Sequence, residues 1–179
     1  LYLVILLTVW HIFPLTELLF PVSMTVTDTL ESMYSEDVKY VNVELRDLHF
    51  TGYTRAFLGN TAGYYYYTLR DNECFFVLLS PKTCDEGNPT IPEITVSAEL
   101  SRGGTAYQTL LDNVAKDLNW TANGIRSKVS PYYLSEPDFN PIGNTFLFGF
   151  IFVTGIYAFI SLTLSLLYIR FPWMAPPCQ

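Results

Sequence analysis

The chain has 179 residues, of which half are hydrophobic and 15% are charged, and its mean hydropathy is +0.23. An average soluble domain is roughly 25% charged. Acidic residues outnumber basic residues 17 to 10, which gives a formal net charge of -7. These numbers exclude a disordered chain and a general electrostatic attraction for DNA, RNA or anionic lipid.

The charged residues are concentrated in the middle of the chain. Among Asp, Glu, Lys and Arg, only Glu17 precedes Asp28 and only Arg170 follows Asp138. Residues 28–141 therefore hold 16 acidic and 9 basic residues, and 9 minus 16 gives the whole net charge of -7. The pattern predicts a polar domain over residues 38–139 between two apolar ends, with residues 21–37 as a linker.

The first apolar end predicts a transmembrane helix over residues 1–20. The run from Leu1 to Phe13 is almost wholly apolar, but 13 helical residues reach only about 20 Å, and the hydrocarbon core is about 30 Å thick. Either the span continues to about Phe20 with a kink at Pro14, or the sequence begins inside a helix of a longer protein. A removed secretory signal is the alternative, although no A-x-A-like cleavage site follows.

The second apolar end predicts transmembrane helix 2 over residues 142–169, which contain no Asp, Glu, Lys, Arg or His. About 20 such residues suffice to cross a bilayer. Arg170 follows directly and is the only basic residue in a short flank. It therefore predicts a cytoplasmic tail over residues 170–179 and places residues 28–141 outside the cell membrane.

Small residues recur along one face of this second helix. Such residues let helices approach closely in lipid, so we expect the face to pack against the first span, a protein partner or a second copy of the chain. Chance placement in a mixed apolar helix is the alternative. The face comprises Thr154, Gly155, Ala158, Ser161 and Ser165.

Two of the three cysteines lie in the polar domain. Cys74 and Cys84 are ten positions apart and have no histidine at metal-ligand spacing. We expect a disulfide between them, as is common in an oxidising compartment, and two reduced buried cysteines are the alternative. Cys178 falls in the predicted cytoplasmic tail, where a plain free thiol is expected.

The polar domain alternates mostly with a period of two, which predicts strands. Helical spacing appears only later, where Thr105 and Gln108 fit a capping box. Thr121 is the predicted N-cap of a second short helix. The predicted fold is therefore a membrane-anchored α+β protein, with two transmembrane helices around a small antiparallel barrel or sheet (OB-like, or an open sheet covered by a helix). The predicted strands and the amphipathic helix span residues 41–45, 48–57, 64–69, 74–79, 94–100 and 105–118.

Candidate chemical groups are few. Tyr64, Tyr65, Tyr66 and Tyr67 would alternate between the two faces of a strand. One pair would enter the core, and the exposed pair could bind sugar, peptide or a protein. Ordinary cross-strand packing or contact with the membrane surface is the alternative.

The two histidines offer little chemistry. His49 stands two residues after Asp47 on a predicted strand, so the pair could act as an acid–base site, although a solvated strand face is the simpler interpretation. His11 and Glu17 are expected at the membrane interface, although an ionisable group within the membrane would indicate a function. No recognised catalytic, phosphate-binding or metal-binding motif is present. We therefore predict no catalytic residues, no metal and no cofactor.

A resemblance extends over roughly residues 40–140. The segments that carry it are residues 51–53, 64–69, 74–79, 116–120 and 135–138. Together they resemble a group of uncharacterised bacterial integral membrane proteins with an extracytoplasmic β-rich domain. The resemblance implies no activity and no functional residues, and it disfavours glycosylation of the Asn119 sequon.

These observations predict a non-enzymatic membrane protein whose extracytoplasmic domain binds a protein or a ligand. The alternative is an accessory subunit of a larger transport or secretion complex, assembled through its transmembrane helices. The expected partners are the lipid bilayer and a protein or second copy at transmembrane helix 2, and nucleic acid is not expected.

Overall fold

The computed structural model describes residues 4, 15–25, 28–70 and 73–170. The chain divides into two units, one of Leu1–Leu15 with Asn140–Gln179 and the other of Thr16–Phe139. Residues 5–14, the greater part of the predicted first span, lie outside the described residues together with His11 and the tail beyond Arg170. The elements are α1 (Leu15–Leu19), β1 (Val22–Ser23), α2 (Leu30–Ser35), β2 (Tyr40–Phe57), β3 (Asn60–Arg70), β4 (Glu73–Leu79), β5 (Thr90–Arg102), α3 (Thr105–Asp117), α4 (Ala122–Arg126), β6 (Tyr132–Ser135) and α5 (Pro141–Arg170).

The unit of Thr16–Phe139 is an α+β fold built on a mixed six-stranded sheet in the order β1-β2-β3-β4-β6-β5. The β1–β2 and β4–β6 pairs are parallel, and the β2–β3, β3–β4 and β5–β6 pairs are antiparallel. In addition, β2 pairs with β5. Strand β2 thus has hydrogen-bonded neighbours on both sides. The series of paired strands runs from β2 through β3, β4, β6 and β5, and β5 pairs with β2 again.

Strand β2 can serve both neighbours because it is long and bent. Its first half, Tyr40 to His49, pairs with β5, and its second half, His49 to Phe57, pairs with β3. Asp47 and Gly52 interrupt the strand with φ values of +51° and +84°, and the glycine adopts its value at no steric cost. The sequence predicted two strands here, and the structure joins them into one.

The sheet buries apolar side chains on both faces. Because neighbouring strand residues point to opposite faces, Tyr66 and Val77 enter one cluster while Tyr65 and Phe76 enter the other. The first cluster lies between the strands and includes Leu30 and Met33 of α2. The second lies between the β3–β4 face and the helices α3 and α4.

The segment predicted as a linker is structured. It contributes β1, which pairs with β2, and α2, which begins with a capping box between Thr29 and Ser32. Immediately before it, the Glu17 carboxylate accepts the backbone N–H of Lys39 at 2.8 Å. The described residues between Thr16 and Asp37 are therefore part of the sheet unit rather than a free linker.

Several local predictions can be compared with the structure. The predicted cap of α4 is present, since the Thr121 hydroxyl accepts the Gly124 N–H at 3.1 Å. The predicted capping box at α3 is not formed, because the N-cap is Gly104, which has no side chain to accept a hydrogen bond. Residues 59–63, predicted as a loop, are the turn and first rungs of the β2–β3 hairpin.

Helix α5 is described separately, because it belongs to the other unit. Within the described residues, the segment Pro141–Leu167 is the one helix long and apolar enough to cross a membrane. Of the predicted packing face, Gly155 is buried, and Thr154, Ala158, Ser161 and Ser165 are exposed. The Thr154 hydroxyl donates to carbonyl oxygens of its own helix, at Phe150 and Ile151. What packs on this face stays a prediction.

Candidate functional site

An apolar groove of about 540 Å³ lies between the outer face of β3–β4 and the helices α3 and α4. Ligand pockets commonly have volumes of about 300–1,000 Å³ and a mostly apolar lining with a few polar groups. The groove fits that description, because Thr51, Asp117 and Lys128 are the polar or charged lining residues. The remaining lining residues are Phe50, Tyr67, Leu69, Cys74, Phe76, Val114, Leu118, Trp120, Ile125 and Val129.

Strand register builds the floor of the groove. Tyr67 is paired with Phe76 and Leu69 with Cys74, so all four residues occupy adjacent positions on β3 and β4. The Tyr67 and Phe76 ring centroids are 6.5 Å apart, within the range of favourable aromatic pairs. The floor is therefore a preformed apolar surface held by backbone hydrogen bonds.

The end of α3 builds one wall. Asn119 adopts a left-handed φ of +53°, and the backbone N–H of Trp120 donates to the Ala115 carbonyl at 2.7 Å. The Asn119 N–H donates to the Lys116 carbonyl, which completes a Schellman motif with asparagine at the left-handed position. This motif stops the helix and directs Trp120 into the groove lining, where its side chain stays 54% exposed.

Charged groups mark the rim. The Tyr53 hydroxyl donates to an Asp117 carboxylate oxygen at 2.6 Å, which links β2 to the end of α3. This hydrogen bond raises the pKa of the Tyr53 phenol above its usual value, because it stabilises the protonated form. With Lys128 also in the lining, the groove offers a fixed acceptor and a cation around an apolar interior.

The two domain cysteines are free thiols, so the predicted disulfide is not formed. Cys74 lies at the start of β4 and lines the groove, whereas Cys84 follows the end of the strand and belongs to the other core cluster. The six residues from Cys74 to Leu79 extend over about 17 Å of strand, and Cys84 lies beyond its end, in the other cluster. The Cys84 thiol instead donates to the Ser80 carbonyl at 3.1 Å.

The four tyrosines do not form an exposed row. Tyr65 and Tyr66 are 7% and 0% exposed, while Tyr64 and Tyr67 are half-buried. Both strand faces are covered, one by the core and the other by α3 and α4. Tyr67 is the tyrosine of this run that lines the groove, and the Tyr66 hydroxyl donates to the Asn88 carbonyl at 2.6 Å.

Asp47 and His49 are both exposed, and the described contacts include no hydrogen bond between them. The His49 ring instead lies 5.4 Å from the Tyr67 ring. Among the described residues, no group of three or more His, Cys, Asp or Glu side chains could hold a metal ion. The structure thus brings no catalytic constellation together at these positions.

The groove was not found by sequence reasoning. The sequence places Leu118 at the end of an amphipathic helix and Trp120 within a sequon, and neither position predicts a groove. The signal available in the sequence was the segment Leu118-Asn119-Trp120, in which two large apolar residues flank an asparagine, a residue that can end a helix. Comparison with known protein families, curated proteins and solved structures finds no match, and the resemblance to bacterial membrane proteins stays a prediction.

Proposed function

We propose that this protein is a membrane-anchored binding module, in which α5 crosses the bilayer and the unit of Thr16–Phe139 presents a site for a protein or a ligand. The apolar groove between β3–β4 and α3–α4 carries the proposal, because a preformed cavity of about 540 Å³ is of ligand size. The apolar composition of Pro141–Leu167 supports the anchor.

The proposed orientation places residues 28–141 outside the cell and the C-terminus in the cytoplasm. It rests on Arg170, because a basic residue beside a span is retained on the cytoplasmic side. The free cysteines give no second argument for an oxidising compartment. We also propose a second span within residues 1–15, on the apolar character of that segment. The predicted end at residue 20 is too late, because Thr16 to Phe20 belong to the sheet unit, where Leu18 is buried.

We further propose that the sheet forms a small closed barrel of the OB-like type. The proposal is supported by the pairings that lead from β2 through β3, β4, β6 and β5 back to β2. Five strands with a strong bend can close around a filled interior, and here Val43, Tyr66 and Val77 would fill it. The helices α3 and α4 follow β5, the fifth strand in chain order. They pack on the outer face of β3 and β4.

The groove favours a partner with an apolar part and polar or basic surroundings. Its walls are apolar and aromatic, so apolar side chains or an acyl or ring system would be buried there. Residues 28–141 carry the whole net charge of -7, which disfavours an anionic macromolecule.

Site-specific photocrosslinking in native membranes tests the groove. A photoreactive p-benzoylphenylalanine at Leu118 should give a defined adduct, whereas the same group at Tyr34, outside the groove, should not. The double variant Leu69→Asn/Trp120→Ser should abolish the adduct, because both side chains line the rim, and it should fold because both are exposed. The same adduct from both positions, or an adduct that survives the double variant, would contradict a groove ligand.

A further inference from the structure

The tip of the β2–β3 hairpin extends beyond the sheet. The last two rungs, Ala56 with Thr61 and Phe57 with Asn60, join β2 only to β3. The pairing of β3 with β4 begins only at Tyr64. Residues 56–61 are therefore a two-stranded projection, and no third strand of the described part of the chain pairs with it.

The tip carries an apolar residue where turn chemistry favours a polar one. Leu58 and Gly59 have φ values of +50° and +82°, as in the two-residue hairpin turn that usually contains Asn-Gly. A leucine in the left-handed region is sterically disfavoured, and Leu58 is 86% exposed. Its neighbour Phe57 is 68% exposed. Backbone strain and exposed apolar surface in one turn indicate a role for the side chains themselves.

The base of the hairpin is joined to the segment that precedes α5. Arg55 donates two hydrogen bonds of 2.7 Å to the two carboxylate oxygens of Asp138. Asp138 is three residues before Pro141, where the apolar helix begins, and Arg55 is three residues before Leu58. Since three residues span at most about 11 Å, the stretch of chain from this ion pair to the tip and the stretch from it to Pro141 are both short.

The composition of the hairpin suits a bilayer surface. Residues 56–69 contain no Asp, Glu, Lys or Arg, in a domain that otherwise carries 16 acidic residues. The charges of Arg55 and Asp138 at the base of the hairpin are paired with each other, and an apolar tip needs no anionic headgroup.

We propose that Phe57 and Leu58 insert into the boundary between headgroups and acyl chains of the bilayer that α5 crosses. The hairpin is then a second, reversible membrane contact that restrains the domain at the lipid surface. This inference rests on the proposed crossing by α5, since that crossing is what would tether the domain to a bilayer.

Tryptophan fluorescence of the full chain in phosphatidylcholine nanodiscs tests the contact. The emission that Phe57→Trp adds to that of the three native tryptophans should fall about twofold when brominated phosphatidylcholine replaces the normal lipid. Thr95→Trp, an exposed position on β5, is the control and should be unaffected. Equal emission of Phe57→Trp in both lipids, or equal quenching at position 95, would overturn the proposal.

A second variant separates the effect of the tip side chain on lipid contact from its effect on folding stability. Leu58→Asn places a favoured residue at the left-handed position, so we expect its melting temperature to equal or exceed that of the parent. Added to Phe57→Trp, it should lower the quenching by brominated lipid. Undiminished quenching in this variant would contradict insertion of the tip. Protection of the tip from aqueous iodide in native membranes but not in nanodiscs would also contradict it, because that result would indicate a protein partner. Incorporation into nanodiscs is scored separately, so failure of the anchor is distinguishable from failure of the tip.

Discussion

At the scale of single residues, a few side chains connect parts of the chain that are far apart in sequence. The Arg55–Asp138 pair joins positions 83 apart by two parallel hydrogen bonds, the strongest geometry for such a pair. The Ser135 hydroxyl donates a third hydrogen bond to Asp138 at 2.6 Å. These contacts fix the last residues of the domain against the second half of β2.

Asp138 should make the free energy of unfolding depend on pH in the acidic range. Hydrogen bonds from the Arg55 guanidinium hold the pKa of its carboxyl below the usual range. An unfolded aspartate titrates near pH 3.9, so the stabilisation is complete above that pH and is lost as the pH falls through the lower pKa of the folded state. We expect Asp138→Asn to lower the free energy of unfolding by about 1 kcal/mol at pH 7.

Urea unfolding between pH 7 and pH 3 measures this effect. The difference between the parent and Asp138→Asn should be constant at neutral pH and should shrink below about pH 4. The double variant Arg55→Met/Asp138→Asn closes a mutant cycle that isolates the pair from other carboxylates. A constant difference across the whole pH range would show that the carboxylate charge is not what stabilises this contact.

At the scale of elements, strand β4 organises both cores. Its successive residues alternate between the two apolar clusters, so Phe75 and Val77 contact one and Phe76 and Leu78 the other. The strand also pairs with β3 on one side and β6 on the other. Cys74, near its start, packs against the second cluster, whereas Cys84, beyond its end, belongs to the first.

The thiols should react at different rates. Burial raises the pKa of both the Cys74 and the Cys84 thiol, which lowers the thiolate fraction available for alkylation. Cys74 is half-buried in the groove lining and Cys84 is 1% exposed. We expect iodoacetamide to modify Cys74 slowly in the native protein and Cys84 only after unfolding, as measured by peptide mass mapping. A peptide pair linked through Cys74 and Cys84 under non-reducing conditions would contradict the structure.

At the scale of the whole molecule, the two units differ in amino-acid composition. The unit of Thr16–Phe139 contains the charged residues of the middle region, and α5 has no charged residue before Arg170. Average values for the chain therefore describe neither unit. The net charge of -7 belongs to residues 28–141, so the proposed binding surface belongs to an acidic domain.

The crossing of α5 can be tested by topology. Ile156→Arg places a charge near the middle of Pro141–Leu167, at a cost of about 3 kcal/mol for insertion. We expect a C-terminal tag on this variant to face the same side as the domain, and the tag of the parent to face the opposite side. Protease accessibility in sealed vesicles measures the side, and Ile142→Arg at the helix start is the matched control. A tag on the same side in the parent would contradict the crossing.

The sequence by itself determined the apolar helix over 142–169, most of the strands and the helix that begins at Thr105, because these follow from hydrophobic periodicity and run length. It also predicted the cap at Thr121, which is a local hydrogen bond. Only the tertiary structure decided that β2 is one bent strand with two partners, that both faces of Tyr64 to Tyr67 are covered, and that β4 separates the cysteines. The groove belongs to this second group, because Tyr67, Phe76 and Trp120 meet only through strand pairing and helix docking. Hydrophobic periodicity indicates which side chains are buried. The residues against which each buried side chain packs depend on contacts between segments distant in sequence.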